Sequence, residues 1–210
     1  MRDRSSIWIG LADLMLCVVS VVITAVAPVK SNTNGVEMKA LYLLTLEWDT
    51  GMDADVDIHM LPPRGEPIFY QSRDVGCATL DRDNRGFIDT VIKLPDGSST
   101  KVMSNKETIA IRCIEPGRYD MAANLYAYRL NNLTQGDRHD LGIKVHAEIV
   151  RLNPNVEPVF DKDVTLEWVG ETINVVSFDI AQDASIFLAD PPLEPITAKY
   201  QQRKARGETP

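Results

Sequence analysis

The sequence predicts an all-β protein: a single N-terminal transmembrane helix followed by an extracytoplasmic β-sandwich. Two observations predict it. An apolar run stands at the start, and a series of short strand-like runs separated by turn signals fills the rest. Of the residues, 44% are hydrophobic, enough for a core, and the net charge of −8 argues against a nucleic-acid partner, because phosphates call for a basic surface.

From Ile7 to Val29 the only charged residue is Asp13. A helix of about 23 residues at about 1.5 Å each spans roughly 34 Å, enough for a hydrocarbon core of about 30 Å. Arg2 and Arg4 precede the run, which favours a cytoplasmic N-terminus, although Lys30 and Lys39 follow it and blunt the asymmetry. Ala25-Val26-Ala27 offers the competing reading of a cleaved signal peptide. Pro28 just after the cut and Asp13 inside the apolar region count against it.

Ser6, Gly10, Asp13, Cys17, Ser20, Thr24 and Ala27 follow a spacing of four and three, so small and polar residues share one seam. Such a seam allows close helix packing and places Asp13 away from lipid. A charged carboxylate at membrane depth costs about 2.5–3.5 kcal/mol on insertion scales, and protonation relieves it. Asp13 is therefore read as an ion-carrying carboxylate, with Gly10, Cys17, Ser20 and Thr24 as the packing seam. The bland reading is that Asp13 only bonds a neighbouring helix.

Leu11-Ala12-Asp13-Leu14-Met15 resembles the aspartate motif of bacterial ion-driven stator B subunits, of flagellar-stator and Exb/Tol type. The resemblance implies a homodimer inside a ring of five multi-spanning channel subunits of the flagellar A, Exb B or Tol Q type. It also implies a bacterial inner-membrane location with a periplasmic C-terminal domain, and a proton or sodium as coupling ion. Flagellar-type B subunits end in a peptidoglycan-binding α/β domain, which has no counterpart here.

On this reading residues 1–6 are cytoplasmic, 7–29 form the helix, 30–39 a linker, 40–189 the β-sandwich and 190–210 a disordered tail. Strand-like runs cover Leu41–Trp48, Val56–Met60, Gly86–Leu94, Thr108–Ile114, Arg118–Tyr128, Gly142–Arg151, Val164–Val169 and Ile173–Ile180. Turn signals such as Pro95-Asp96-Gly97, Glu115-Pro116-Gly117 and Asn153-Pro154-Asn155 separate them. Thr45-Leu46-Glu47-Trp48 recurs as Thr165-Leu166-Glu167-Trp168, which two strands in similar sheet positions, or chance, would explain.

The stretch from Trp48 to His59 is the strongest chemical cluster. Where it is extended, Asp53, Asp55 and Asp57 point to one face, and Asp81, Asp83 and Asn84 add oxygens from a second acidic loop. Calcium takes six to eight such ligands. A calcium site is one reading, and a solvated acidic loop with Asx-turns is the other. Cys77 and Cys113 pair as a disulfide or stay as two separate thiols; pairing closes a loop of about 37 residues, worth roughly 4 kcal/mol in chain-entropy terms.

The segments around Trp48-Asp49-Thr50, Asp53 to His59, Leu80 to Asn84 and Pro116 to Tyr119 also resemble a little-characterised bacterial family of extracytoplasmic β-sandwich domains. That likeness implies a fold and no activity. No enzyme signature appears: His59, His139 and His146 are scattered, and phosphate loops and nucleophile elbows are missing. Two functions are expected in competition: an ion-driven stator subunit working through Asp13, and a membrane-anchored periplasmic module that binds protein or glycan, with or without calcium.

Overall fold

In the computed structural model, residues 39–86, 91–101, 104–129 and 138–207 are described. The chain divides between Glu37 and Met38, so all of these belong to its second unit. Among the described residues of that unit there are twelve strands and one helix. The strands are β1 (Tyr42–Trp48), β2 (Ala54–Leu61), β3 (Asp74–Val75), β4 (Ala78–Arg82), β5 (Val91–Lys93), β6 (Ser99–Lys101), β7 (Lys106–Ile111), β8 (Gly117–Tyr128), β9 (Arg138–Arg151), β10 (Glu157–Trp168), β11 (Thr172–Ile180) and β12 (Ile186–Ala189). The helix is α1, Ile196–Ala205.

Ten of the strands form two sheets. One has six strands in the order β10-β9-β1-β7-β4-β3, the other four in the order β12-β11-β8-β2, and β5 with β6 makes a separate hairpin. The pairings are antiparallel throughout. Side chains alternate across a strand, so every second residue of each sheet enters a shared core. From the large sheet come Tyr42, Leu44, Leu46 and Trp48 of β1 with Val145, Ala147 and Ile149 of β9; from the small one come Val56, Ile58 and Met60 of β2 with Tyr119, Met121 and Leu125 of β8. Tyr119 stacks on Phe178 with ring centroids 5.1 Å apart. The repeated tetrapeptide now has a structural setting: its two copies lie in β1 and β10, the strands on either side of β9, and both Leu46 and Leu166 are buried.

The opposite face of the small sheet is not bare. Leu61 of β2 and Ala122 of β8 are covered by Ile196 and Tyr200 of α1. Residues 190–210 were expected as a disordered tail; α1 within them is instead an ordered helix docked on the sheet. Its apolar anchor is small, which is why the sequence shows no clear amphipathic pattern there.

The all-β expectation holds for the described residues, but the expected architecture of a membrane helix bearing a β-sandwich is corrected. Among the described residues no helix is long and apolar enough to cross a membrane, and the one helix found is the ten-residue α1. Residues 7–29, with Gly10, Asp13, Cys17, Ser20 and Thr24, lie outside the described residues.

Candidate functional site

The site grows out of the free edge of β2. On one side β2 pairs with β8. On the other, alternate amides of β2 must find acceptors elsewhere, since a buried N–H without a partner is costly. The Met60 amide donates to the Ile68 carbonyl at 3.1 Å. The Ile58 amide donates to Oε2 of Glu107 at 2.6 Å. Glu107 sits on the inward parity of β7, in line with Ile109 and Ile111. Its other oxygen, Oε1, accepts the Asn84 amide at 3.1 Å. One buried carboxylate thus ties the edge of β2 to the turn that follows β4.

That turn is held tightly. Asn84 Oδ1 accepts the Gly86 amide at 2.9 Å, while its Nδ2 donates to the Ser104 carbonyl. Gly86 has φ +70°, and a Cβ there would lie 2.6 Å from Asp53 Oδ1 and 3.1 Å from the Ala54 carbonyl oxygen. Only glycine fits so close an approach in that backbone region. The turn presents Asp83 toward Glu107 and Asp57. Asp57, Asp83 and Glu107 each offer one oxygen, and these three atoms lie within 4.8 Å of one another.

Asp57 and Glu107 are nearly inaccessible, at 4% and 1% exposure. Asp55, two residues before Asp57 and on the same face, is 3% exposed, and its Oδ1 has no hydrogen-bond partner. Countercharge is sparse. Arg129 reaches Asp55 Oδ2 at 3.0 Å and Asp53 Oδ1 at 3.4 Å, and Arg73 stands 3.6 Å from Asp83. The electrostatic result follows. Burial pushes the Glu107 carboxyl up to about 9, with its two amide donors opposing and Asp57 reinforcing. Burial, with Asp55 and Asp83 beside it, pushes Asp57 up to about 7. Asp55 is also raised, by burial, against the pull of Arg129. A cavity of about 260 Å³ opens over the cluster, lined by Asp55, Asp57, Tyr70, Asp83, Arg85 and Tyr126. The two tyrosines stand at its mouth, with ring centroids 5.7 Å apart.

The expected metal set is therefore divided. Asp57 and Asp83 come together, Asp55 lines the same cavity, Asp53 turns to Arg129, and Asp81 leaves the site to pair with Arg112 through both oxygens at 2.6 Å. Asp81 goes because the β4–β7 pairing is irregular there: Leu80 faces Ile109 and Arg82 faces Thr108, so Asp81 is the extra residue of a bulge and the alternation that would align it with Asp83 is broken. The Asx-turn reading holds for Asp49, whose Oδ1 accepts the Gly51 amide. Glu107 was missed, although a glutamate at the apolar parity of the run ending at Ile111 is the signal that could have found it. Cys77 and Cys113 are joined as a disulfide with Cα atoms 5.0 Å apart. His59 is a partly buried side chain against Phe69, kept neutral by desolvation that lowers it to about 4. A larger open cleft of about 680 Å³ holds His146, which hydrogen-bonds Asp163 at 2.9 Å, but none of its lining side chains is left buried without a partner.

The fold and site together define an all-β, two-sheet domain with a buried carboxylate cluster at a sheet edge. No family model matches the chain, and no curated protein matches it. Among solved structures, it is similar to a homologue of telluride resistance protein (TerD) from Streptomyces coelicolor A3(2), at 11% identity over 72% of this chain and 88% of that one, with a TM-score of 0.41. A second similar structure, titled only as a protein of unknown function, is 14% identical over 72% and 87% of the two chains, with a TM-score of 0.43. At such values nothing about binding or activity passes from those proteins to this one.

These findings overturn the stator reading. No family model matches, and among the described residues no helix is long and apolar enough to cross a membrane. The resemblance rested on a five-residue motif, Leu11 to Met15, too short to outweigh that. The expected inner-membrane location, the coupling role of Asp13 and the membrane-anchored binding module that shared the same helix fall with it.

Proposed function

We propose that the domain binds a divalent cation of the calcium type at Asp57, Asp83 and Glu107, with Asp55 as a further oxygen donor. The observation that supports this best is the convergence of Asp57, Asp83 and Glu107, with the unpartnered Oδ1 of buried Asp55 lining the same cavity as Asp57 and Asp83. Buried carboxylates without countercharge are costly, and they are relieved either by protonation or by a cation. A cation does so while using all of the oxygens at once.

The donors suit calcium better than magnesium. They are all oxygens, and the open cavity leaves room for water or carbonyl ligands to complete a coordination of six to eight. Magnesium demands a tighter octahedron and gives up its water reluctantly. Glu107 is already pinned by two amides, so a cation bound there links β2, β7 and the turn at Asp83 to Gly86. Its binding is an ordering event for that corner of the sandwich.

Calorimetric titration of EDTA-treated protein with calcium and with magnesium tests the reading. One calcium per chain is expected, with a dissociation constant in the range of about 10⁻⁷–10⁻³ M known for protein calcium sites, and weaker magnesium binding. No heat and no thermal shift at millimolar calcium would refute it.

A further inference from the structure

The carboxylate cluster lies at one edge of the sandwich, where β2 ends the small sheet. At the other edge β10 ends the large sheet and β12 the small one, and no strand joins them among the described residues. A cavity of about 350 Å³ lies there between the sheets, walled by Phe160 and Lys162 of β10 and by Leu188 of β12, with Val175 and Val176 of β11 at its floor. The strands are irregular at this point: pairing shifts between Pro158 and Phe160 in β10 and between Asn174 and Val176 in β11. Bulges bend a strand and re-aim its side chains. The one in β11 leaves two successive valines, 1% and 2% exposed, buried side by side.

Lys162 stands out against this lining. It pairs with Ala147 of β9, and the residues at its own parity, Phe160, Val164 and Leu166, face Ile149, Val145 and Ile143, all of them buried. Alternation therefore puts Lys162 on the core-facing side of the sheet. A lysine so placed lays its stem along apolar surface and keeps its ammonium at the rim. Among the described residues it makes no hydrogen bond or ion pair. Asp190 lines the same cavity from the β12 side, but it is exposed to solvent and does not pair with Lys162. An inward lysine also guards an edge strand against pairing with another chain. Edge protection accounts for the charge and leaves the apolar cavity beneath it unexplained.

We infer that this cavity is a binding site for a small amphiphilic carboxylate of the medium-chain fatty-acid class. The carboxylate pairs with the Lys162 ammonium at the rim, and the alkyl chain lies over Val175 and Val176 between Phe160 and Leu188. Apolar walls with one placed charged group are the common make-up of small-molecule pockets. The volume is at the low end of the roughly 300–1,000 Å³ usual for them, which suits a medium chain better than a long one. The site is separate from the carboxylate cluster and does not depend on a metal.

Octanoate is the probe, titrated into the EDTA-treated full chain and followed by amide chemical shifts, with octanol and hexanoate as comparisons. Saturable octanoate shifts centred on Phe160, Lys162, Val175, Val176 and Leu188 are expected. Hexanoate should bind roughly tenfold more weakly for its two missing methylenes, and octanol about threefold more weakly for the lost ion pair at the rim. Lys162→Met keeps an unbranched stem without the charge; it should bind octanol as the wild type does and octanoate no better than octanol. No saturable shifts, shifts centred elsewhere, or equal binding of octanoate and octanol by the wild type overturn the inference. A wild type that ignores octanoate while Lys162→Met dimerises through β10 assigns Lys162 to edge protection alone and overturns it as well. The wild-type comparison decides the matter even if the variant does not fold.

Discussion

Replacing Asp57 with Asn should make the metal-free protein more stable at pH 8 and the calcium-loaded protein no better than the metal-free one. The reasoning starts from burial. In the folded chain Asp57 titrates at about 7, against an ordinary 3.8. The folded state then holds its proton more tightly than the unfolded state between those values. Stability of metal-free wild type accordingly falls as pH rises from about 4 to 7, and the loss persists above 7. About three pH units at about 1.4 kcal/mol each sets an upper bound of roughly 4 kcal/mol. Glu107 acts with the same sign up to about pH 9.

Asn cannot titrate, so the Asp57 part of this loss vanishes, while an unpaired amide in its place costs about 1–2 kcal/mol. A net gain of about 2 kcal/mol at pH 8 is expected, or some 4–8 °C for a domain of this size. Calcium at a hundred times its dissociation constant stabilises wild type by about 2.7 kcal/mol, and this should largely disappear in the variant. Thermal melts of both proteins at pH 5.5 and pH 8, in EDTA and in calcium, give all the comparisons. An undiminished calcium shift in Asp57→Asn, or a metal-free variant no more stable than wild type at pH 8, would refute the argument.

Two further outcomes are expected. Gly86→Ala forces a Cβ to within 2.6 Å of Asp53 Oδ1 at φ +70°; it should destabilise the domain by at least about 1–2 kcal/mol and weaken calcium tenfold or more by displacing the turn, measured by calorimetry. The double variant Cys77→Ser/Cys113→Ser opens a loop with a sequence separation of 36; its urea midpoint should drop by about 2 M if the lost loop constraint is roughly 4 kcal/mol and m is about 2 kcal/mol/M, and an unchanged midpoint would show that the bridge does not constrain the unfolded chain.

The strands with clear apolar runs were legible. β1, β8 and β11 lie within a residue of where the apolar runs place them, and β9 begins four residues earlier, at Arg138; β8 and β11 are buried on both faces in their middles, so there the apolar run rather than strict alternation carried the signal. β10 was read as starting at Val164 and begins at Glu157; its first half, at the sheet edge, is mostly exposed, and its two partly buried apolar residues, Val159 and Phe160, are adjacent at a pairing irregularity, so no period of two shows there. β12 was missed for the same reason, since Phe187 and Leu188 are both exposed. β4 was hidden inside what looked like an acidic loop, and with it the fact that Asp81 and Asp83 go separate ways. The acidic half of the site was visible in the spacing of Asp55 and Asp57, but its partner Glu107 comes from the other sheet. Sequence spacing cannot report a contact across a sandwich.

That cross-sheet contact also explains why the site stands where it does. A sheet edge facing the interior needs an acceptor for its free amides, and a strand with no neighbour must borrow one from a side chain. Glu107 meets this need for Ile58 and for Asn84 at once, one amide on each oxygen, and one of these oxygens lies within 4.8 Å of an oxygen of Asp57 and of Asp83. A neutral acceptor such as Gln would satisfy one amide and set its NH₂ against the other. The carboxylate is thus required by the fold before any ligand is considered, and its charge, raised in energy by burial, is what a cation would relieve. Edge closure and the proposed cation binding are served by the same carboxylate, so loss of the ion should loosen the edge of β2 first. In amide exchange, Ile58 and Asn84 should lose protection on calcium removal at pH values above about 7, where Asp57 is ionised, while Leu44 and Val145 in the interior of the large sheet keep theirs.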